Sequence, residues 1–354
     1  MRIWSAWAAS AGMAIAVPVN AQNSQAPTPP QAATQATVTL PAAPPPDGGT
    51  VPGLEADPVS PDVTMEEARA FLAVQQDRTD RFTIPIQIDG KGPYRFIIDT
   101  GAQRTIISRE LAKMLALPAH DRVKIVSIGG MADVDTVSIG NLTYGNNNVS
   151  DIRAPVLLGN NLGALGLLGV DSLQSKRLII SFPSGKMEIA KGRSRRNDPD
   201  AIVVEARSRF GQLVLVDATA GGQKVHVILD TGAQHSIGNL ALYRKLSKRN
   251  RLPTDRPITM TSVTGQQMIG QWGMVDKITL GGVVLQGVGM VFMDAAPFDV
   301  LELGDKPALL LGMDVLSGFK RVEVDFARKS VNFLINDSAL QPPARLAMLG
   351  EGHR

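Results

Sequence analysis

From Arg81 onward apolar and polar positions alternate: Phe82, Ile84, Ile86 and Ile88 fall on one face of the chain. Period two predicts a strand. Pro85 within the run predicts an edge strand, because proline cannot donate to a ladder. Gly90-Lys-Gly-Pro93 reads as a turn, and Tyr94 to Ile98 as a second strand running into Asp99. Further strands are expected at Val123 to Val126, ahead of Gly129-Gly130, and on both sides of a Gly140-Asn141 hairpin turn. The apolar run Leu165 to Gly169 precedes a short helix. Leu178 to Phe182 and Lys186 to Ala190 flank a hairpin turn at Pro183-Ser-Gly185.

The same order then returns. Leu213 to Asp217 is a strand, Gly221-Gly222 a turn, and Val225 to Leu229 a strand running into Asp230. Ile258 to Val263 precedes Thr264-Gly265, and Gly281-Gly282 joins Lys277 to Leu280 with Val283 to Leu285. Leu309 to Gly312 precedes a helix, and a hairpin from Arg321 to Leu334 closes the copy. The expected fold is all-β with short helices, in two lobes at residues 80–190 and 206–336. A basic linker at 191–205 joins them and a tail follows at 337–354. Two copies of one order imply a duplication packed about a pseudo-twofold axis.

Ahead of the lobes the pattern is different. Met1-Arg2 is a short positive region, Ile3 to Val17 is apolar and uncharged, and Val19-Asn20-Ala21 offers small or branched residues to a signal peptidase. Residues 1–21 are therefore expected to be a secretory signal. The mature protein would be periplasmic or secreted, with no stable membrane insertion. Residues 22–62, rich in Pro, Ala, Gln and Thr, are expected to form a disordered tether. Thr64-Met-Glu-Glu67 reads as a capping box opening a short helix within 63–79.

Composition removes several chemistries. The chain has no cysteine, so disulfides, thiolate nucleophiles and Cys-ligated zinc are excluded. Its four histidines form no metal-ligand spacing, and no metal or cofactor is implied. A net charge of +3 is no nucleic-acid signature. The densest basic run, Lys191-Gly-Arg-Ser-Arg-Arg196, reads as solvated linker.

Within the repeats one motif recurs in register: FIIDTGAQ at 96–103 and VILDTGAQ at 227–234. One Asp-Thr-Gly is ordinary turn chemistry. Two at the same place in a duplicated domain bring two carboxyls to one cleft. Carboxyls held together cannot both ionise easily, so one proton is shared over an intermediate pH range. The ionised member can act as base toward water while the protonated one polarises a carbonyl. Amide hydrolysis then needs neither a metal nor a covalent intermediate.

These residues resemble the retropepsin-like aspartic peptidases, in the bacterial branch with DTGA motifs. The resemblance covers roughly residues 80–190 and 206–336, and includes the segments Leu167-Leu-Gly169 and Leu310-Leu-Gly312 before a helix. It implies two β-barrel lobes forming a single-chain pseudo-dimer, a monomer acting on a polypeptide. Asp99 and Asp230 become the catalytic pair, and Thr100 and Thr231 interlocking threonines. Gly101, Ala102, Gly232 and Ala233 complete the two supporting turns. Gln103 and Gln234 stand where retroviral enzymes have a carboxylate that contacts substrate backbone. Gly129, Gly130 and Gly265 are candidate flap-tip residues. Neither tip has the tyrosine of pepsin-like flaps. Arg104 and His235 differ between the copies, which points to an asymmetric cleft. Ala102 and Ala233 occupy positions where pepsin-like enzymes carry a hydroxyl, which implies a higher dyad pKa and a mildly acidic optimum. A non-catalytic peptide-binding module is the competing expectation.

Overall fold

The computed structural model describes residues 36–39, 64–66, 68, 82–191, 200–209, 212–215, 217–248, 252 and 256–335. The expected signal, most of the tether, most of the first helix and the C-terminal tail lie outside the described residues. After β1 (Ala36–Thr39), lobe 1 runs through β2 (Thr83–Ile88), β3 (Lys91–Ile98), β4 (Ile106–Ser108), β5 (Ala119–Ser127), β6 (Gly130–Tyr144), β7 (Asn147–Leu157), β8 (Gly166–Leu168), β9 (Lys176–Ser181) and β10 (Lys186–Lys191). Lobe 2 comprises β11 (Ile202–Arg209), β12 (Gln212–Leu215), β13 (Ala218–Ala220), β14 (Gln223–Lys224), β15 (His226–Leu229), β16 (Ile237–Gly238), β17 (Arg256–Thr261), β18 (Gln267–Leu280), β19 (Val283–Phe292), β20 (Ala308–Leu311), β21 (Arg321–Asp325) and β22 (Ser330–Leu334).

Lobe 1 is a closed barrel in the order β2-β3-β8-β4-β7-β6, sealed by a β2–β6 pairing, with β5 added outside. Lobe 2 follows the same circuit as β12-β15-β20-β16-β19-β18-β13, interrupted between Leu215 and Ala218. The two lobes are therefore retropepsin-like β-barrels. Alternation builds the core: Ile84, Ile86 and Ile88 of β2 are buried while Pro85 and Gln87 face out. Pro85 sits on the stretch of β2 bonded only to β3. The strand is not an edge throughout, because Gln87 and Ile88 pair with Thr143 and Leu142.

A seam of antiparallel strands joins the lobes. Strand β9 of lobe 1 pairs with β21 of lobe 2 over Arg177 to Ser181, within the order β10-β9-β21-β22-β11. The seam buries an ion pair, Arg177 Nη1 to Glu323 Oε2 at 3.5 Å, and Arg321 Nε lies 2.9 Å from Glu323 Oε1.

Three expectations change. The expected Gly140-Asn141 turn does not form: both residues continue within the fifteen-residue β6. The Asn141 N–H donates to Asp89 Oδ1 at 2.7 Å, and the Asp89 N–H to the Asn141 carbonyl at 2.9 Å. The small residue lets the neighbouring β2–β3 turn come close, and the hairpin turn falls instead between Tyr144 and Asn147. The linker is shorter than 191–205. Lys191 closes β10, and Ile202 to Glu205 pair with β22. The segment 22–62 is not tether throughout. Ala36–Thr39 pairs in parallel with Val283 to Gln286, and Val38 is buried in the main core. Thr37-Val38-Thr39 is a β-branched island between proline-rich stretches, suited to a half-buried sheet position. Of the first helix, the described part is one turn in which the Ala68 N–H donates to the Thr64 carbonyl at 3.0 Å. Among the described residues no helix is long and apolar enough to cross a membrane.

Candidate active site

Strands β3 and β15 deliver the two aspartates to the site. Each lies deep in its barrel and pairs in parallel with the strand of the Leu-Leu-Gly segment, β8 or β20. The ladders end on the aspartates themselves: the Asp99 N–H donates to the Leu168 carbonyl at 3.0 Å, and the Asp230 N–H to the Leu311 carbonyl at 3.1 Å. Behind them Phe96, Ile98, Ile228 and Leu229 are buried. Apolar packing thus holds two acids at the floor of the groove between lobes.

The turns that follow are interlocked. Thr100 Oγ1 donates to the Leu229 carbonyl and Thr231 Oγ1 to the Ile98 carbonyl, each at 2.7 Å. Each hydroxyl oxygen accepts in return from the opposite threonine's N–H at 3.1 Å. Gly101 and Ala102 donate their N–H groups to Asp99 Oδ1 at 2.8 and 3.0 Å, and Gly232 and Ala233 to Asp230 Oδ1 at 3.0 Å each. The carboxyls face each other within hydrogen-bonding reach. The need for glycine is one of space. A Cβ on Gly101 would lie 2.6 Å from Asp230 Oδ2, and one on Gly232 would strike Asp99 in the same way. Neither glycine has a positive φ, so close approach of the opposite acid decides the residue.

Burial pushes both carboxyls above the usual carboxylate range. The charge of Asp230 raises Asp99 further, while the turn N–H bonds pull both back down. One proton held between two desolvated acids is the state that can present a base and an acid together.

Behind each turn lies a support that the sequence reading missed. Asp171, two residues after Gly169, accepts from the Thr105 N–H at 2.9 Å and the Thr105 hydroxyl at 2.8 Å. Asp314, two after Gly312, accepts from the Ser236 N–H at 2.9 Å and the Ser236 hydroxyl at 2.7 Å. These hydroxyls also accept from the Gly169 and Gly312 N–H groups. The signal was present as a hydroxyl residue six after each Asp and an acid two after each Leu-Leu-Gly, at equal offsets in both copies.

A cleft of about 590 Å³ opens over the aspartates. Gln103, Arg104, Gln234 and His235 line it, as do Ala102 and Ala233. Ile106, Leu162 and Leu167 form an apolar wall from lobe 1, and Ile237, Ile258 and Leu301 one from lobe 2. Arg104 is exposed at the wall, whereas His235 Nδ1 lies 4.0 Å from Asp314 Oδ2. The halves therefore differ in side-chain chemistry at this pair.

Two hairpins, β5–β6 and β17–β18, cover the cleft. Ser127 Oγ and Thr264 Oγ1 are 3.0 Å apart, joining the tips. The tips are also crossed. Ile128 of lobe 1 packs on the lobe 2 cluster around Ile237 and Ile258, and Val263 of lobe 2 packs on the lobe 1 cluster around Ile106 and Leu167. Gly129, Gly130 and Gly265 stand at these tips but do not line the cleft. Gly129 faces Gln266 and Ser262, and Gly265 faces Asn161. The lining comes instead from Ser127, Ile128 and Val263. Flap glycines shape the turn while their neighbours point inward. Among the described residues no group of three or more His, Cys, Asp or Glu side chains could hold a metal ion.

Comparison with protein families agrees with this geometry. Residues 84–175 match the family described as "gag-polyprotein putative aspartyl protease", and residues 216–315 match the family described as "Aspartyl protease". The chain belongs to the retropepsin-like aspartic peptidases. No curated protein matches it. Each family match falls within one lobe and contains one Asp-Thr-Gly turn and one Leu-Leu-Gly segment. This retropepsin-like chain therefore carries both halves of its cleft as tandem repeats.

Proposed function

We propose that the chain is an aspartic endopeptidase in which Asp99 and Asp230 activate one water between them for attack on a peptide carbonyl. The observation that carries this reading is the meeting of the two desolvated carboxyls at the floor of the cleft, each fixed by two turn N–H groups. The ionised acid takes a proton from water, and the protonated acid hydrogen-bonds the carbonyl oxygen as it gains charge. The interlocked threonines hold the two acids in register, as proximity catalysis requires.

The substrate is an extended polypeptide lying as a strand beneath the flaps, with Gln103 and Gln234 offering amides to its backbone. Apolar walls on both sides favour apolar side chains flanking the scissile bond. The enzyme works as a monomer, since one chain holds both halves. With the secretory signal expected at residues 1–21, it acts in the periplasm or outside the cell, on flexible segments of exported or membrane-anchored proteins.

The test is incubation of the purified protein with an unstructured protein, read by mass spectrometry. Wild type should cut and Asp99→Asn should not. Absence of cleavage by wild type across mildly acidic pH would leave the peptide-binding module as the better reading.

A further inference from the structure

Among the described residues the two turns are not held alike. Gln212, at the start of β12 in lobe 2, reaches across the interface and donates its Nε2–H to the Gly101 carbonyl of lobe 1. That carbonyl and the Ala102 N–H belong to one peptide group, and the Ala102 N–H donates to Asp99 Oδ1 at 3.0 Å. Among the described residues no donor reaches the Gly232 carbonyl, although Ala233 donates to Asp230 in the same way. A donor on the oxygen of a peptide group polarises it and strengthens the N–H at its other end.

A second observation sets Gln212 apart from ordinary packing. It is 6% exposed and lines the cleft, and among the described residues its buried Oε1 has no hydrogen-bond partner. A buried acceptor without a partner is a cost that an apolar residue of similar size would avoid. Such exceptions call for a functional explanation.

We propose that Gln212 is a positioning residue for catalysis: through the Gly101–Ala102 peptide group it supports the anionic form of Asp99, and so helps that acid give up its proton within the dyad. This rests on the reading of Asp99 and Asp230 as the working dyad. The other titratable groups facing the dyad are Arg104 and His235 on the turns and Lys124 on β5, with Asp171 and Asp314 behind the turns. Strand β17 and the helix Ala296–Val300 bring only apolar and hydroxyl side chains to the cleft. Arg209, opposite Gln212 on β11, is engaged by the Leu301 carbonyl and lies 3.6 Å from Glu302.

The experiment compares the pH profile of kcat/KM for wild type and Gln212→Met. The alkaline limb, set by loss of the proton that Asp99 holds beside ionised Asp230, should move upward by a few tenths of a pH unit, because the anion on Asp99 loses support. A purely structural bond would lower kcat/KM evenly and leave the limb in place. A limb that coincides with wild type overturns the proposal. If the Met variant does not fold, Gln212→Asn, which keeps the amide but shortens its reach, is read in the same way. Carboxyl ¹³C NMR titration of the dyad gives the same comparison without turnover. An inactive wild type would therefore count against the peptidase reading alone, while an unshifted ionisation of Asp99 in the variant would count against Gln212.

Discussion

Thr100 and Thr231 each donate a hydroxyl to the carbonyl just before the other's aspartate, at 2.7 Å in both directions. The bond ties each acid's strand end to the opposite turn, so neither lobe can shift without carrying both carboxyls. Replacing Thr100 with Val keeps the shape and removes the donor. Two buried groups, the Leu229 carbonyl and the Thr231 N–H, then lose a partner. The expected cost is about 1–3 kcal/mol of stability for each group left unsatisfied. Activity should fall by roughly a hundredfold, as ångström-scale misplacement of catalytic groups does. Urea unfolding and kcat/KM together check this. Unchanged activity in a folded variant would mean that the grip does not set the dyad.

The dyad itself should be a liability to the fold at neutral pH. Burial, then the charge of Asp230, raises the Asp99 carboxyl above its unfolded value. A raised acid contributes stability that is fully present below its unfolded pKa and is lost as pH rises through its folded pKa. Asp99→Asn removes that loss. Its stability should match wild type near pH 4 and exceed it at pH 7, the gap growing by up to about 1.4 kcal/mol for each pH unit above the unfolded pKa until the folded pKa of about 8 is passed. A variant less stable than wild type at pH 7 would contradict the assignment of burial as the cause.

The crossed flap tips predict a binding defect without a chemical one. Ile128 and Val263 each pack on the opposite lobe's cluster. Ile128→Ala with Val263→Ala removes two half-buried apolar seals, each worth part of the roughly 1.5–3 kcal/mol of a fully buried aliphatic side chain. KM for a peptide substrate should rise at least tenfold while kcat changes little. A fall in kcat alone would point to a role in the chemical step instead.

Ala102 and Ala233 donate only their backbone N–H groups to the carboxylates. Serine at both positions adds a hydroxyl able to bond the charged form, and such a bond lowers pKa. The acid limb of the pH–rate profile should move downward in the double variant. A limb that stays put would reject the missing hydroxyls as the source of a mildly acidic optimum.

Much of the barrel was legible because its signals are local. Period-two alternation marked β2, and the repeated Asp-Thr-Gly-Ala-Gln marked both turns. Legibility failed where tertiary contact overrides local pattern. Gly140-Asn141 has the composition of a hairpin turn but serves a neighbouring turn at Asp89. Thr37 to Thr39 was hidden within a proline-rich stretch and finds its partner in Val284 to Gln286, far along the chain. Two helices, Arg109–Met114 and Leu240–Ser247, were missed although Ser108 and Asn239 cap them, accepting from the Leu111 and Leu242 N–H groups. Their six and eight residues are too few for a 3.6-residue period to stand out. Gln212 carries no motif at all. Only the folded interface shows that it reaches a turn 111 residues earlier in the chain.

The β9–β21 seam has a consequence for how such a site can diversify. Two identical chains meeting at a symmetry axis must give each aspartate the same neighbours. Here the axis runs through one polypeptide, so a change at Gln212, Arg104 or His235 is written once and felt by one side alone. The same covalent link keeps each half at a high effective concentration beside the other, and dilution that would scatter a weak two-chain assembly leaves this cleft whole.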